Sequence, residues 1–164
     1  MEKINKLKNI FKSEKIDGYI IPKNDEFFGE YIPDYKDRLK YISNFTGSYG
    51  FALILDNKNY LFVDGRYTLQ ANKQCGKFFK IKTIPQQLPV KILKNKNLKI
   101  GFDPKLFTKK SLTIFFGKTN CKYISINNNL IDNIWERKKS EVKSKFFTLP
   151  SSAIDESYKL NYYL

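Results

Sequence analysis

One local cluster in this 164-residue chain, Asp64-Gly65-Arg66-Tyr67, combines residue types at a spacing that could hold a substrate. It falls where an apolar run gives way to a helical pattern. Arg66 would therefore emerge at a sheet edge near a helix N-terminus, with Gly65 allowing a sharp turn. A guanidinium in that place either clamps a carboxylate or carbonyl, or pairs with Asp64 or a neighbouring acid. Other chemistries fit less well. Gly117-Lys118-Thr119 resembles the end of a phosphate-binding loop, but that loop needs a first glycine where Leu112 stands, inside an apolar helical face. Phe45 to Gly50 has loop glycines but precedes a strand, whereas phosphate loops follow a strand and open a helix. Aspartates at strand ends raise the possibility of a two-metal nuclease. If Asp56 opposes Asn59 across a hairpin, Asp56 and Asp64 lie on the order of 16 Å apart, too far to share a metal pair about 4 Å across. Asp17, Asp56 and Asp103 each adjoin Gly, Asn or Pro and read as turn formers.

The chain has no His, which removes the commonest general base and metal ligand. Cys75 and Cys121 are too far apart in sequence to assemble a four-ligand zinc site, and Cys75 reads as a structural thiol. No Ser has a credible base partner. By its own residues the chain is expected to carry no catalytic residue and no metal ligand, and not to be a complete enzyme.

The elements around the cluster read as alternating helices and strands. Ile4, Leu7, Ile10 and Phe11 share one face of a helix over 3–14, which Asp17-Gly18 ends. Tyr19 to Pro22 is a short apolar strand, Lys23 to Pro33 is polar and aromatic without a period, and Asp37 to Asn44 reads as a short helix. Gly50 to Asp56 and Asn59 to Asp64 are apolar strands joined by Asn57-Lys58, a tight hairpin. Both are apolar on both faces, so the hairpin belongs in the centre of a sheet with helices on each side. Helices at 67–75, 90–93, 108–116 (ended by Gly117) and around 130–135 alternate with strands at 78–84, 98–102 and 121–126. The expected fold is α/β, with a mixed sheet.

Length and composition set the outer bounds. A chain this long is one ordinary domain, able to bury roughly two-thirds of its unfolded surface without disulfides or metals. It has 30 Lys and Arg against 16 Asp and Glu, a net +14, and 41% apolar residues. Only Arg38, Arg66 and Arg137 are arginines, and the lysines are scattered from end to end. That pattern reads as composition bias rather than a recognition surface, so nucleic acid is not the expected partner. The alternative is a stand-alone Lys-rich module that binds nucleic acid or another polyanion, with affinity falling steeply in salt. There is no apolar run of about 18 residues and no signal-peptide core, so no membrane partner is expected and the chain reads as cytoplasmic. From Arg137 the composition becomes that of a linker, and Ala153 to Tyr158 looks like the start of a new helix with Ser152 as its N-cap.

Several motifs occur together in order. They are Asp17-Gly18-Tyr19-Ile20-Ile21-Pro22, Glu30-Tyr31-Ile32-Pro33, Arg38 to Ser48 (Arg-Leu-Lys-Tyr-Ile-Ser-Asn-Phe-Thr-Gly-Ser), Phe62 to Ala71, Ile100 to Pro104 and Asn129 to Trp135. Over about residues 4 to 136 the chain resembles the Xaa-Pro aminopeptidases (aminopeptidase P) of the M24-type metallopeptidases. In particular it resembles the first domain of their three-domain members, a creatinase/prolidase N-terminal domain. The resemblance implies a mixed six-stranded sheet with a central antiparallel hairpin, helices on both faces and an RNase H-like motif. It implies that catalysis belongs to a separate C-terminal domain holding two divalent metals, usually manganese, which cleaves peptides with proline at the second position. None of those ligands carries over to this sequence. The first domain would help to wall the substrate cleft, with Arg66 and Tyr67 as its cleft-facing residues, and would contribute contacts in a homodimer. Its partner would be the catalytic domain, in cis or in trans. The expected organisation is a first domain over 1–136, a linker over 137–152 and the start of a truncated second domain over 153–164. After Trp135 the family tends to continue through a proline-containing stretch, where this sequence has Glu136 to Ser140.

Overall fold

The computed structural model describes residues 1–137. The linker beyond Arg137 and the expected second-domain helix lie outside the described residues.

Six strands form one sheet: β1 (Gly18–Pro22), β2 (Gly50–Leu55), β3 (Asn59–Asp64), β4 (Lys80–Ile84), β5 (Lys99–Phe102) and β6 (Lys122–Ser125). Their order across the sheet is β4-β3-β2-β1-β5-β6. β2 is antiparallel to both neighbours, and the other five strands share one direction. Every residue of β1 and β2 is buried, as expected of strands apolar on both faces.

Alternation along the strands divides the core in two. Tyr19 and Ile21 of β1, Ala52 and Ile54 of β2, and Leu61 and Val63 of β3 face one side. There they meet Ile4, Leu7 and Phe11 of α1 (Glu2–Phe11), Leu39 and Ile42 of α2 (Arg38–Ser43), and Ala71 and Cys75 of α3 (Thr68–Cys75). Ile20, Phe51, Leu53, Tyr60 and Phe62 face the other side. Leu93 of α4 (Pro89–Leu93) and Phe116 of α5 (Lys109–Phe116) cover them, whereas Leu130 and Ile131 of α6 (Leu130–Ile134) return to the first side. In β5, an added Cβ at Gly101 would meet Ile126 Cδ1 at 2.7 Å and Ile16 Cδ1 at 2.9 Å. Glycine is required there by packing, because no glycine of the described residues has a positive φ.

The chain departs from the sequence expectations at four turns. Leu55 donates its backbone N–H to Lys58 O at 2.9 Å, so the hairpin loop is Asp56-Asn57 rather than Asn57-Lys58. Burial of Leu55 against the second core holds it in the strand, and Ile54 rather than Asp56 pairs with Asn59. α1 ends at Phe11, not residue 14, and Lys15 takes a left-handed φ of 55° before β1. Gly65 has no positive φ, and a Cβ there would meet only Thr83 Cγ2 at 3.8 Å, so neither backbone angle nor packing requires glycine. Gly117 ends α5 in a right-handed conformation, φ −68°.

Phe62 is fully buried and stacks on Phe51 with ring centres 4.8 Å apart. Phe62→Ala should destabilise the fold by about 3–5 kcal/mol, read as a lower midpoint in urea unfolding followed by circular dichroism.

Candidate functional site

Because five strands share a direction, they end along one edge of the sheet, where β2 begins. The loops after β1, β3, β5 and β6 and the loop before β2 therefore gather at this carboxyl edge. In open α/β sheets that is where ligand crevices form.

The Asp64 cluster sits there. Asp64 ends β3 in an extended conformation, and its Oδ1 accepts both the backbone N–H and the Nε–H of Arg66, each at 2.9 Å. Of the two roles open to Arg66, the geometry shows the pairing with Asp64. The Arg66 hydrogen bond holds the Asp64 carboxyl below its usual range. The guanidinium remains 75% exposed and stands over the Tyr67 ring, 5.6 Å from its centre. Tyr67 is half-buried, its ring edge-on to buried Phe45 and its hydroxyl 2.7 Å from Ser48 Oγ. The Ser48 loop is stapled to α3. Thr46 Oγ1 accepts from Gln70 at 2.8 Å and Gln74 at 2.9 Å, while Thr46 N–H donates to Gln74 Oε1 at 3.1 Å. The edge thus presents a fixed pair of hydroxyls beside an exposed guanidinium, groups that can bind the carbonyls or carboxylate of a peptide.

Next to it lies a groove of about 220 Å³ lined by Phe28, Tyr49, Phe51, Phe107 and Phe115. Around it Phe27 is 79% exposed and Tyr31 87% exposed. These side chains leave apolar surface exposed at the carboxyl edge. Sequence reading missed it, because Lys23 to Pro33 has no period to show which aromatics face outward.

A polar network holds that aromatic loop down. Arg38 is only 4% exposed, and it donates from Nε and Nη2 to the two oxygens of Asp132, both at 2.8 Å. Its Nη2 also reaches Glu26 Oε1 at 3.1 Å, and Lys36 reaches Glu26 Oε2 at 2.9 Å. Partial burial by itself would raise the Glu26 pKa; the Lys36 and Arg38 hydrogen bonds outweigh it and bring the carboxyl to about 2. Arg137 pairs with the same Asp132, donates to Tyr35 O at 2.7 Å and covers Trp135, whose ring stacks on Tyr41 with centres 4.6 Å apart. Asp37 caps α2 by accepting the Lys40 N–H at 3.0 Å, and it also pairs with Lys23. Sequence reading missed this network as well. Its available signal was the rarity of arginine: two of the three arginines converge on Asp132 in a chain otherwise charged by lysine.

Cys75 is buried and its thiol is pushed up to about 11 by desolvation, so it packs and does not react. Asp103 forms a turn as expected, accepting the Lys105 N–H at 2.9 Å, whereas the Asp17 carboxylate accepts the N–H of Lys99, 82 positions away, at 2.7 Å and so ties the start of β1 to that of β5. Among the described residues no three His, Cys, Asp or Glu side chains come together to hold a metal.

Arg38→Met leaves Asp132 with Arg137 and Glu26 with Lys36. Because both acids are partly exposed, it should cost about 2–3 kcal/mol in denaturant unfolding. Glu26 titrates lower in the folded state, about 2, than its ordinary 4.5, so its contribution is present above pH 4.5 and is lost as pH falls toward 2. Glu26→Gln should lower stability at neutral pH and flatten the stability-versus-pH curve within that window.

Comparison with known proteins is consistent with this architecture. Residues 3–128 match the profile of the Creatinase/Prolidase N-terminal domain. The chain is 34% identical over 158 residues to a probable Xaa-Pro aminopeptidase P of Laccaria bicolor, covering 90% of this chain and 25% of that protein. It is 33% identical over 153 residues to Xaa-Pro aminopeptidase 1 of Dictyostelium discoideum, covering 85% of this chain and 24% of that protein. The chain thus spans about a quarter of the length of the curated relatives it matches. The X-prolyl aminopeptidase of Caenorhabditis elegans, described as a cytosolic enzyme with a di-nuclear active site, superposes with a TM-score of 0.72 at 30% identity, over 82% of this chain and 25% of that one. The N-terminal domain of the cytoplasmic peptidase PepQ of Mycobacterium tuberculosis superposes with a TM-score of 0.63 at 20% identity, over 82% of this chain and 98% of that one, which shows a shared fold. With the six-stranded mixed sheet and a profile match across most of the described residues, the chain belongs to the creatinase/prolidase N-terminal domain family.

Proposed function

We propose that this chain is the non-catalytic first domain of an Xaa-Pro aminopeptidase and works by setting its carboxyl edge against a catalytic domain, in cis or in trans. The observation that carries this reading is its 34% identity over 90% of its length to a quarter of such an enzyme. Residues 1–136 form the domain, 137–152 link it onward and 153–164 begin the next unit. The complete enzyme removes an N-terminal residue that precedes proline. Two divalent metals, manganese by family resemblance, supply the hydrolytic chemistry from the catalytic domain, in a cytoplasmic homodimer.

On this reading the exposed aromatics Phe27, Phe28 and Tyr31 dock on the catalytic domain, which explains large apolar side chains left in water on one edge. Arg66 and Tyr67 then stand at the rim of the substrate cleft. The Arg66 guanidinium, whose Nη groups are not used by Asp64, offers donors to a peptide carbonyl or carboxylate. The Ser48–Tyr67 hydroxyl pair fixes the Tyr67 ring that the guanidinium covers.

A chimera tests this. Residues 3–128 replace the matching segment of the C. elegans enzyme, and release of the first residue from an Xaa-Pro peptide is followed with manganese present. The chain alone should show no hydrolysis and the chimera should be active. In the chimera Arg66→Ala should raise KM by about tenfold with kcat little changed, the signature of lost uniform binding. Hydrolysis by the chain alone, or a folded chimera without activity, would contradict the proposal.

A further inference from the structure

The opposite, amino edge of the sheet has a different character. There the end of α1, the turn after it, the start of β5 and the β2–β3 hairpin surround a hollow of about 500 Å³. Phe11 and Ile16 are buried beneath it, and Lys8, Lys12, Lys15 and Lys99 stand around it. Lys8 and Lys12 are one turn apart at the end of α1, Lys15 lies in the turn that follows, and Lys99 opens β5.

None of the four lies in a salt bridge among the described residues, whose ion pairs involve other cations. The Lys8 ammonium donates to a neutral acceptor, the Asp56 backbone O, at 2.8 Å, and partial burial pushes its pKa down. Of the two acids at the hollow, Asp17 is engaged by the Lys99 backbone N–H at 2.7 Å, while Asp56 is exposed in the hairpin turn. Lys15 occupies a left-handed position, φ 55°, which Gly or Asn would fill at lower cost after a helix. The β5–β6 register sets Lys99 beside Lys122, a like-charge neighbour on the adjacent strand. Four lysines against two aspartates leave the hollow with a net positive charge that a multiply charged anion can share.

We propose that this hollow binds a compact, multiply charged oxyanion of the di- or triphosphate class. The size of the space suits a short phosphoryl chain. It is a local open hollow bordered on one side by the hairpin, whereas an extended nucleic-acid strand needs a cationic track. The proposal is independent of the aminopeptidase reading, since it concerns the opposite edge of the sheet.

Tripolyphosphate titrated calorimetrically into the whole chain at constant ionic strength tests it. Saturable one-to-one binding is expected, weakened by about tenfold or more in Lys8→Gln/Lys99→Gln and unchanged in the distant pair Lys110→Gln/Lys118→Gln. Lys12→Gln/Lys15→Gln, at exposed positions, serves as a second variant if the first pair impairs folding, and the same loss is expected. Three outcomes would overturn the site: no saturable heat beyond that of chloride, equal weakening in the distant pair, or a single-stranded RNA oligomer binding more tightly than tripolyphosphate with every lysine pair contributing alike.

Discussion

Burial of β2 on both faces is the constraint on which the rest of the molecule depends. All six of its residues are buried, and its side chains alternate between two separate cores. Neither core can exist without its own helical cover, so the chain must place helices on both sides of the sheet. α1, α2, α3 and α6 seal one side, and α4 and α5 seal the other. With both faces closed, loops and polar groups are left the two edges. Because only β2 runs against the other strands, those edges are unlike: one collects the strand ends and the loops that follow, the other the strand starts.

The two edges then carry different chemistry. At the carboxyl edge, Arg38 ties the loop after β1 to α6 through Glu26 and Asp132, and Arg137 continues the same network past Trp135. A guanidinium suits this role because it serves Asp132 with two parallel hydrogen bonds and still reaches Glu26, which an ammonium cannot do with fixed geometry. The result is an aromatic surface on a loop that is itself held firmly. At the amino edge, lysines gather with few acids to balance them. A lysine-rich hollow at one edge and aromatic surface at the other make the two ends of the domain unlike.

Much of this was legible in the sequence, for physical reasons that differ by element. Gly50 to Leu55 and Asn59 to Val63 announced a central hairpin because apolar residues occupy both parities, and only a doubly covered strand tolerates that. The other four strands and the six helices were legible from their own periodicity and breakers. The hairpin loop was misplaced by one residue because Asp56, Asn57 and Lys58 all suit a turn, and tertiary burial of Leu55 decided the register. The Arg38–Asp132 pair spans 94 positions of sequence, and no local pattern reports a contact of that kind. The outward aromatics were hidden for a related reason: an irregular loop has no period, so Phe27 and Tyr31 read the same whether buried or exposed. Arg66 was placed correctly at the sheet edge, but its choice of Asp64 as partner needed coordinates.

The central claim is that the carboxyl edge is the working surface of this domain. Hydrogen–deuterium exchange of the chain, with and without a catalytic portion of an Xaa-Pro aminopeptidase, tests it most directly. The account predicts new protection in the loops over 23–37, 44–49 and 64–67 with little change in α4 and α5. Protection confined to the outer surfaces of those helices, or to the lysine-lined amino edge, would contradict it.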